Sequence, residues 1–249
     1  MTIKDLRNIN HSDAPIELTI DQLMEYIHCP NYFYLKYMSR IPLKNIPTYK
    51  DLLHQIINMY IGRLLNGKIM PMSEAKKHWD KLVDEYPSSL SSKNIIEGLG
   101  ILNQIDHYCR NNKVVIADLN SPFQNVFSNN IIIKGLLGPI RYYDNKTLEL
   151  FIIETSQKIP DQTLVDMSLK YTMQLFAVNS ISSNFKINGI RILHVKSGNE
   201  ITTYRTQKDF DRLKKTISNV GKSIRNEIFY PREDYTCPRC LYKNYCGYI

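Results

Sequence analysis

The densest group of chemically capable residues lies near the C-terminal end, where Cys237-Pro-Arg-Cys240 is followed by Leu-Tyr-Lys-Asn-Tyr-Cys246. Three thiols so close in sequence supply three corners of a metal or cluster site and leave a fourth open. The candidate for that corner is Cys29, in Tyr26-Ile-His-Cys29-Pro30-Asn-Tyr-Phe33. A helical pattern before it and a proline after it let the thiol project from a helix end. Cys109 falls inside another helical pattern and reads as a plain buried thiol. An odd count of five cysteines in 249 residues does not suit a disulfide framework, which belongs to smaller secreted domains. Ligation of a metal or a cluster by thiolates is the better first reading.

A second group is cationic. Lys208, Arg212, Lys214, Lys215, Lys222 and Arg225 crowd one predicted helix, and Arg232, Arg239 and Lys243 follow among Tyr230, Tyr235, Tyr242 and Tyr245. Such cations neutralise phosphates, and tyrosines stack on unpaired bases; the bland alternative is a solvated helix face. The formal net charge of +8 attracts polyanions in general, so charge alone does not separate DNA from an anionic membrane. No basic leader joined to a long apolar run is found, nor an apolar stretch of spanning length. The expectation is a soluble, intracellular protein, cytoplasmic or of a virus-infected cell, without a membrane partner.

The elements that must position these groups follow from periodicity. Thr19 can cap a helix through Asp21, Leu23, Tyr26 and Ile27, with apolar spacing resuming through Phe33, Leu35 and Tyr37 until Pro42 and Pro47. Tyr49 to Leu65 repeats apolar residues at helical spacing and stops at Asn66-Gly67; Ser73 to Tyr86 and Ser92 to Arg110 are further helices. The first third thus reads as α. Val114 to Leu119, Val126 to Leu137 and Leu148 to Glu154 read as strands, Leu164 to Ile181 as a helix, Ile187 to Lys196 with Glu200 to Arg205 as a hairpin, and Gln207 to Ile228 as a basic amphipathic helix. The expected fold class is α/β, a mixed central sheet flanked by helices with an α-helical insertion, in one domain over 1–249. Within it, 49–112 is the helical portion, 113–206 the β-rich core with helix 164–181, and 207–249 plus 19–40 the subdomain that joins the two ends.

The Cys-Pro-x-x-Phe-Tyr segment at Cys29, together with Phe229-Tyr230-Pro231 and the C-x2-C-x5-C tail, resembles the iron–sulfur PD-(D/E)XK nucleases, RecB-like exonucleases associated with CRISPR systems and AddB. The resemblance spans nearly the whole chain. It implies a restriction-endonuclease-like core and a four-iron four-sulfur cluster on Cys29, Cys237, Cys240 and Cys246, clamping the chain's two ends, with zinc as the alternative. In that family magnesium or manganese ions held by carboxylates, and a lysine beside them, hydrolyse phosphodiesters. His54 matches the family histidine, Glu154 the second carboxylate, and Gln174-Leu175 the pair on the following helix, although Val178 stands where a tyrosine is common. Gly138 occupies the place of the first aspartate and Ser156 that of the lysine.

Glycine offers no oxygen to a cation and serine no positive charge to the attacked phosphate, so cation affinity and rate should both fall. Lys134 or Lys158 can substitute for the lysine if either reaches it, and Lys158 shares a face with Ser156 if the strand continues. Asp144 falls across a predicted turn and does not replace the carboxylate. The expected function is therefore a nuclease-derived DNA-binding or scaffold protein, a pseudonuclease, with Gln174, Lys208, Arg212, Lys215, Lys222 and Arg225 toward the nucleic acid. The rival reading is an active metal-dependent DNA exonuclease with His54 and Glu154 as metal ligands and Lys158 as a migrated lysine. A third is a protein–protein subunit of a larger assembly without DNA contact.

Overall fold

The computed structural model describes residues 14–39, 41–42, 47–65, 67–128, 130–144, 147–181 and 186–247. Asn66, expected to mark a helix end, and Arg40, at the edge of the expected subdomain, lie outside them. Short polar side chains start the early helices as the sequence foretells. Thr19 accepts the Gln22 amide at 3.1 Å while Gln22 accepts the Thr19 amide at 2.8 Å, opening α1 (Ile20–His28). Thr48 and Ser91 cap α3 (Tyr49–Leu64) and α5 (Ser92–Asn111) in the same way. Between them stands α4 (Met72–Glu85). Cys29 breaks the first helical run with an extended backbone, φ −152° and ψ 105°, and α2 (Pro30–Phe33) continues into a π-helical turn over Tyr34–Met38.

The fold is mixed α/β, built on two sheets rather than the one central sheet expected. The first has the order β1 (Ile16–Thr19), β4 (Ile131–Leu136), β3 (Pro122–Phe127), with β1 parallel and β3 antiparallel to β4. The second runs β2 (Ile116–Asp118), β5 (Ile140–Tyr142), β6 (Thr147–Glu154), β7 (Lys186–His194), β8 (Asn199–Thr203). Its pairs are antiparallel except β6 with β7, which are parallel. Between these two parallel strands come α6 (Gln162–Met167) and α7 (Leu169–Ile181), the crossover that parallel pairing requires. The last helix, α8 (Gln207–Arg225), ends three residues before the expected Ile228.

Several expectations are corrected here. The first third is not all helix, because Ile16 and Leu18 enter a strand whose partner lies over a hundred residues away. The single strand expected over Val126–Leu137 is the end of β3, a turn and β4 of a hairpin, reversed near Asn130 at φ +51°, a left-handed conformation that asparagine tolerates. The helix expected over Leu164–Ile181 breaks at Ser168. Its ψ is 113°, and its hydroxyl accepts the Tyr171 amide at 3.3 Å to start α7 afresh. Arg205 holds the broken end, donating to the Val165 carbonyl at 2.9 Å and to the Thr172 hydroxyl at 2.7 Å.

Two apolar cores flank the larger sheet. Leu148 and Leu150 of β6 pack with α1, α7, α8 and the small sheet, whereas Phe151 faces α3, α4 and α5. Alternation along a strand produces this division. Close packing sets two glycines: a Cβ on Gly98 of α5 would meet the Trp79 ring at 2.3 Å, and one on Gly221 of α8 would meet Ile131 at 2.1 Å. The second contact lays α8 directly on β4.

Candidate functional site

The chain's two ends meet through an aromatic joint. Phe229 packs on Tyr26, Phe33 and Tyr34 with ring centroids 5.2 to 6.4 Å apart, and the Tyr26 hydroxyl donates to the Ile228 carbonyl at 2.6 Å. The Asn31 amide donates to the Tyr230 carbonyl at 3.1 Å, and Arg232 donates to the Ile27 carbonyl at 3.1 Å. From there the tail makes only two short 3-10 turns, Cys237–Arg239 and Lys243–Tyr245.

This path brings Cys29, Cys237, Cys240 and Cys246 onto one pocket, with about 380 Å³ free of protein atoms and part of it open to solvent. Tyr32, Leu35, Pro231 and Tyr242 complete much of its wall. Three of the four sulfurs receive an N–H donor: the Tyr32 amide approaches Cys29 Sγ at 3.4 Å, the Asp234 amide Cys237 Sγ at 3.3 Å, and the Asn31 side chain Cys246 Sγ at 3.2 Å. Cys237 also lies 3.8 Å from the Arg232 carbonyl. Burial first, then the proximity of the other three cysteines, holds the Cys240 thiol above its ordinary pKa, against the pull of the Tyr242 amide. Among the described residues no three His, Cys, Asp or Glu side chains gather as one ion would require, so the sulfurs share a pocket without meeting at a single-ion spacing. As a donor set, four sulfurs of which three accept an N–H bond suit thiolates bound to iron or zinc. Cys109 is fully buried on α5, away from this pocket, with its thiol pushed up to about 12 by burial.

The residues of the expected catalytic centre are dispersed differently. Glu154 closes β6 on the face of Leu150 and Ile152, toward α7, and raises the pKa of Tyr171, a shift owed first to burial. Its carboxylate is turned into its own chain, accepting the Ser156 amide at 2.8 Å. His54 lies exposed on α3, which packs against the opposite face through Leu52, Leu53 and Ile56. Among the described residues no hydrogen bond or ion pair joins His54 to Glu154. Lys158 is exposed in a bend beyond β6; since the strand stops at Glu154, the shared face expected for Ser156 and Lys158 does not exist. Lys134 is engaged with Glu17 across β1 and β4.

Gly138 follows β4 instead of lying within a strand, yet it is close to this region. Pro139 continues the β5–β6 pairing by accepting the Phe151 amide at 2.7 Å, which sets Gly138 beside the last residues of β6. A Cβ there would face the Gln174 amide nitrogen at 3.9 Å, and Gln174 Oε1 is buried without a hydrogen-bond partner. Gly138 and Gln174 thus stand beside each other.

On α8, Lys208, Arg212, Lys214, Lys215 and Lys222 are exposed and Arg225 is half-buried, opposite the buried Leu213, Ile217 and Ile224. Arg212 pairs with Asp209 at 3.6 Å, and Lys214 lies over the Phe176 ring. Tyr230, Tyr235 and Tyr245 are exposed around the cysteine pocket, but Tyr242 is buried edge-on against Tyr32 and is removed from the expected stacking set. Among the described residues no helix is long and apolar enough to cross a membrane.

Sequence reasoning missed three features. Arg141 and Arg191 share the buried Glu149, with Arg141 at 2.7 Å and Arg191 at 3.3 Å, and both reach Glu200. The buried His194 ring bonds the Ser156 carbonyl at 2.9 Å and the Ser197 hydroxyl at 2.8 Å, fixing the turn after Glu154. Asn31 serves the pocket, and only its place two residues after Cys29 hinted at it.

No family model matches the chain, and no curated protein matches it. Among solved structures 26 chains match. One, titled "Crystal structure of SSO0001", is 14% identical, aligns over 91% of this chain and 94% of its own, and superposes with a TM-score of 0.39.

Proposed function

We propose that this chain is a nuclease-derived DNA-binding protein of the PD-(D/E)XK type, in which the scaffold and a four-iron four-sulfur cluster persist while phosphodiester cleavage is impaired. The observation that carries this reading is the pocket where Cys29 of the first segment joins Cys237, Cys240 and Cys246 of the last. Closing so long a loop costs conformational entropy, which metal–thiolate bonds offset. A bound cluster would supply that cross-link and a one-electron couple. The mixed sheet flanked by helices, with α6 and α7 crossing between the parallel β6 and β7, is compatible with this reading.

Impairment follows from the side chains bordering Gly138. No carboxylate stands at that position, Glu154 caps its own turn, and Lys158 lies in an exposed bend. The exposed cations of α8 give the chain a phosphate-binding face.

Anaerobic purification tests the cluster: iron and sulfide in near-equal amounts, with visible absorption bleached by dithionite, are expected, whereas stoichiometric zinc and a colourless protein would remove it. A gel shift with DNA should weaken steeply with salt, and absence of binding at low ionic strength would leave a protein-binding scaffold as the reading. Prolonged incubation with DNA and manganese should leave the substrate intact; degradation abolished by Glu154→Ala would instead establish an active exonuclease.

A further inference from the structure

The four sulfurs are not served alike. Cys29 and Cys237 each accept a backbone amide from a residue three positions away in their own segments, which any sequence of the same backbone course would supply. Cys246 is different: its donor is a side chain, Asn31 Nδ2 at 3.2 Å, reaching across from the other end of the chain. Asn31 is fixed for this task. Its main-chain amide donates to the Tyr230 carbonyl at 3.1 Å, so the same residue clasps the tail and orients its side chain toward the sulfur.

Resting on the cluster reading above, we infer that Asn31 is a positioning residue that tunes the reduction potential of the bound cluster through its N–H bond to Cys246. An N–H dipole aimed at a thiolate sulfur stabilises the electron-richer, reduced state, and hydrogen bonds to the sulfurs are among the levers that set such potentials. The effect is electrostatic and does not depend on whether DNA is bound.

Asn31→Leu keeps the approximate size and removes the donor. In holo-protein with equal iron and sulfide content, the midpoint potential should move to a more negative value. Asn31→Asp, which removes the donor and adds negative charge, should move it further in the same direction. Unchanged potentials in both variants would overturn the inference while leaving the cluster reading intact. A protein that holds zinc and shows no redox couple would overturn both.

A measurement on the unaltered protein guards against variants that fail to load. With asparagine side chains labelled with nitrogen-15, pulsed electron paramagnetic resonance of the dithionite-reduced cluster should show coupling to one side-chain nitrogen. Coupling to backbone nitrogens alone would refute the Asn31 contact.

Discussion

Replacing Gly221 by alanine tests the packing that delivers the C-terminal tail to the N-terminal segment. In an open helix the substitution stabilises by about 0.8–1 kcal/mol, because alanine loses less backbone freedom on folding. Here the new Cβ would stand 2.1 Å from Cδ1 and 2.6 Å from Cγ1 of Ile131, a fully buried residue. Carbon atoms pack at about 3.5–4.0 Å, so roughly 1.4 Å must come from rotating Ile131 or lifting α8 off β4. Such overpacking costs about 1–3 kcal/mol, and the net change is a loss of about 0–2 kcal/mol after the helix gain. For a chain of this size that lowers the melting temperature by up to about 8 °C.

The assay is thermal unfolding of identically prepared wild type, Gly221→Ala, Ile131→Ala and the double variant. Ile131→Ala alone removes buried methyl groups and should cost about 2–5 kcal/mol. In the double variant the alanine methyl fills part of that space, so the combined loss should fall short of the sum by about 1 kcal/mol or more. A Gly221→Ala protein that melts higher than wild type, or strictly additive losses, would refute the close contact of α8 with β4.

Three further outcomes are expected. Glu149→Ala leaves Arg141 and Arg191 with Glu200 alone to balance two cations and should destabilise by about 3–5 kcal/mol in urea unfolding, with a loss under 1 kcal/mol counting against the network. Cys109, its thiol held up to about 12 by burial, should resist iodoacetamide until the chain unfolds. Because its folded pKa is raised, its contribution to stability is complete below the unfolded thiol's ordinary value and is lost as pH climbs toward about 12; an alkaline stability profile unchanged in Cys109→Ala contradicts this. Finally, on the proposed nuclease-derived reading, the Gly138→Asp, Ser156→Lys double variant adds an amine and a carboxylate, the latter where a Cβ meets Gln174 at 3.9 Å, and calorimetry should detect manganese binding stronger than in wild type. No gain in affinity would sink the assignment of that region as a former metal site.

Local chemistry was written in the sequence. Thr19, Thr48 and Ser91 begin their helices through bonds three residues long, and the apolar spacing of α3, α5 and α8 fixes which faces are buried. The cysteine spacing named its own residue types. What joins distant segments was not written there. The pairing of β1 with β4, the reversal that splits β3 from β4, and the Arg141–Glu149–Arg191 cluster depend on partners that no local period specifies. Tyr242 carries the same composition signal as Tyr230 and Tyr235, but only packing against Tyr32 buries it. His54 and Glu154 bear the right chemistry for a shared ion, yet strand alternation sends Glu154 toward α7 while α3 rests on the other face. Bonds between neighbours in sequence are decided by residue type alone; bonds across the chain exist only once the sheets and helices have chosen their sides.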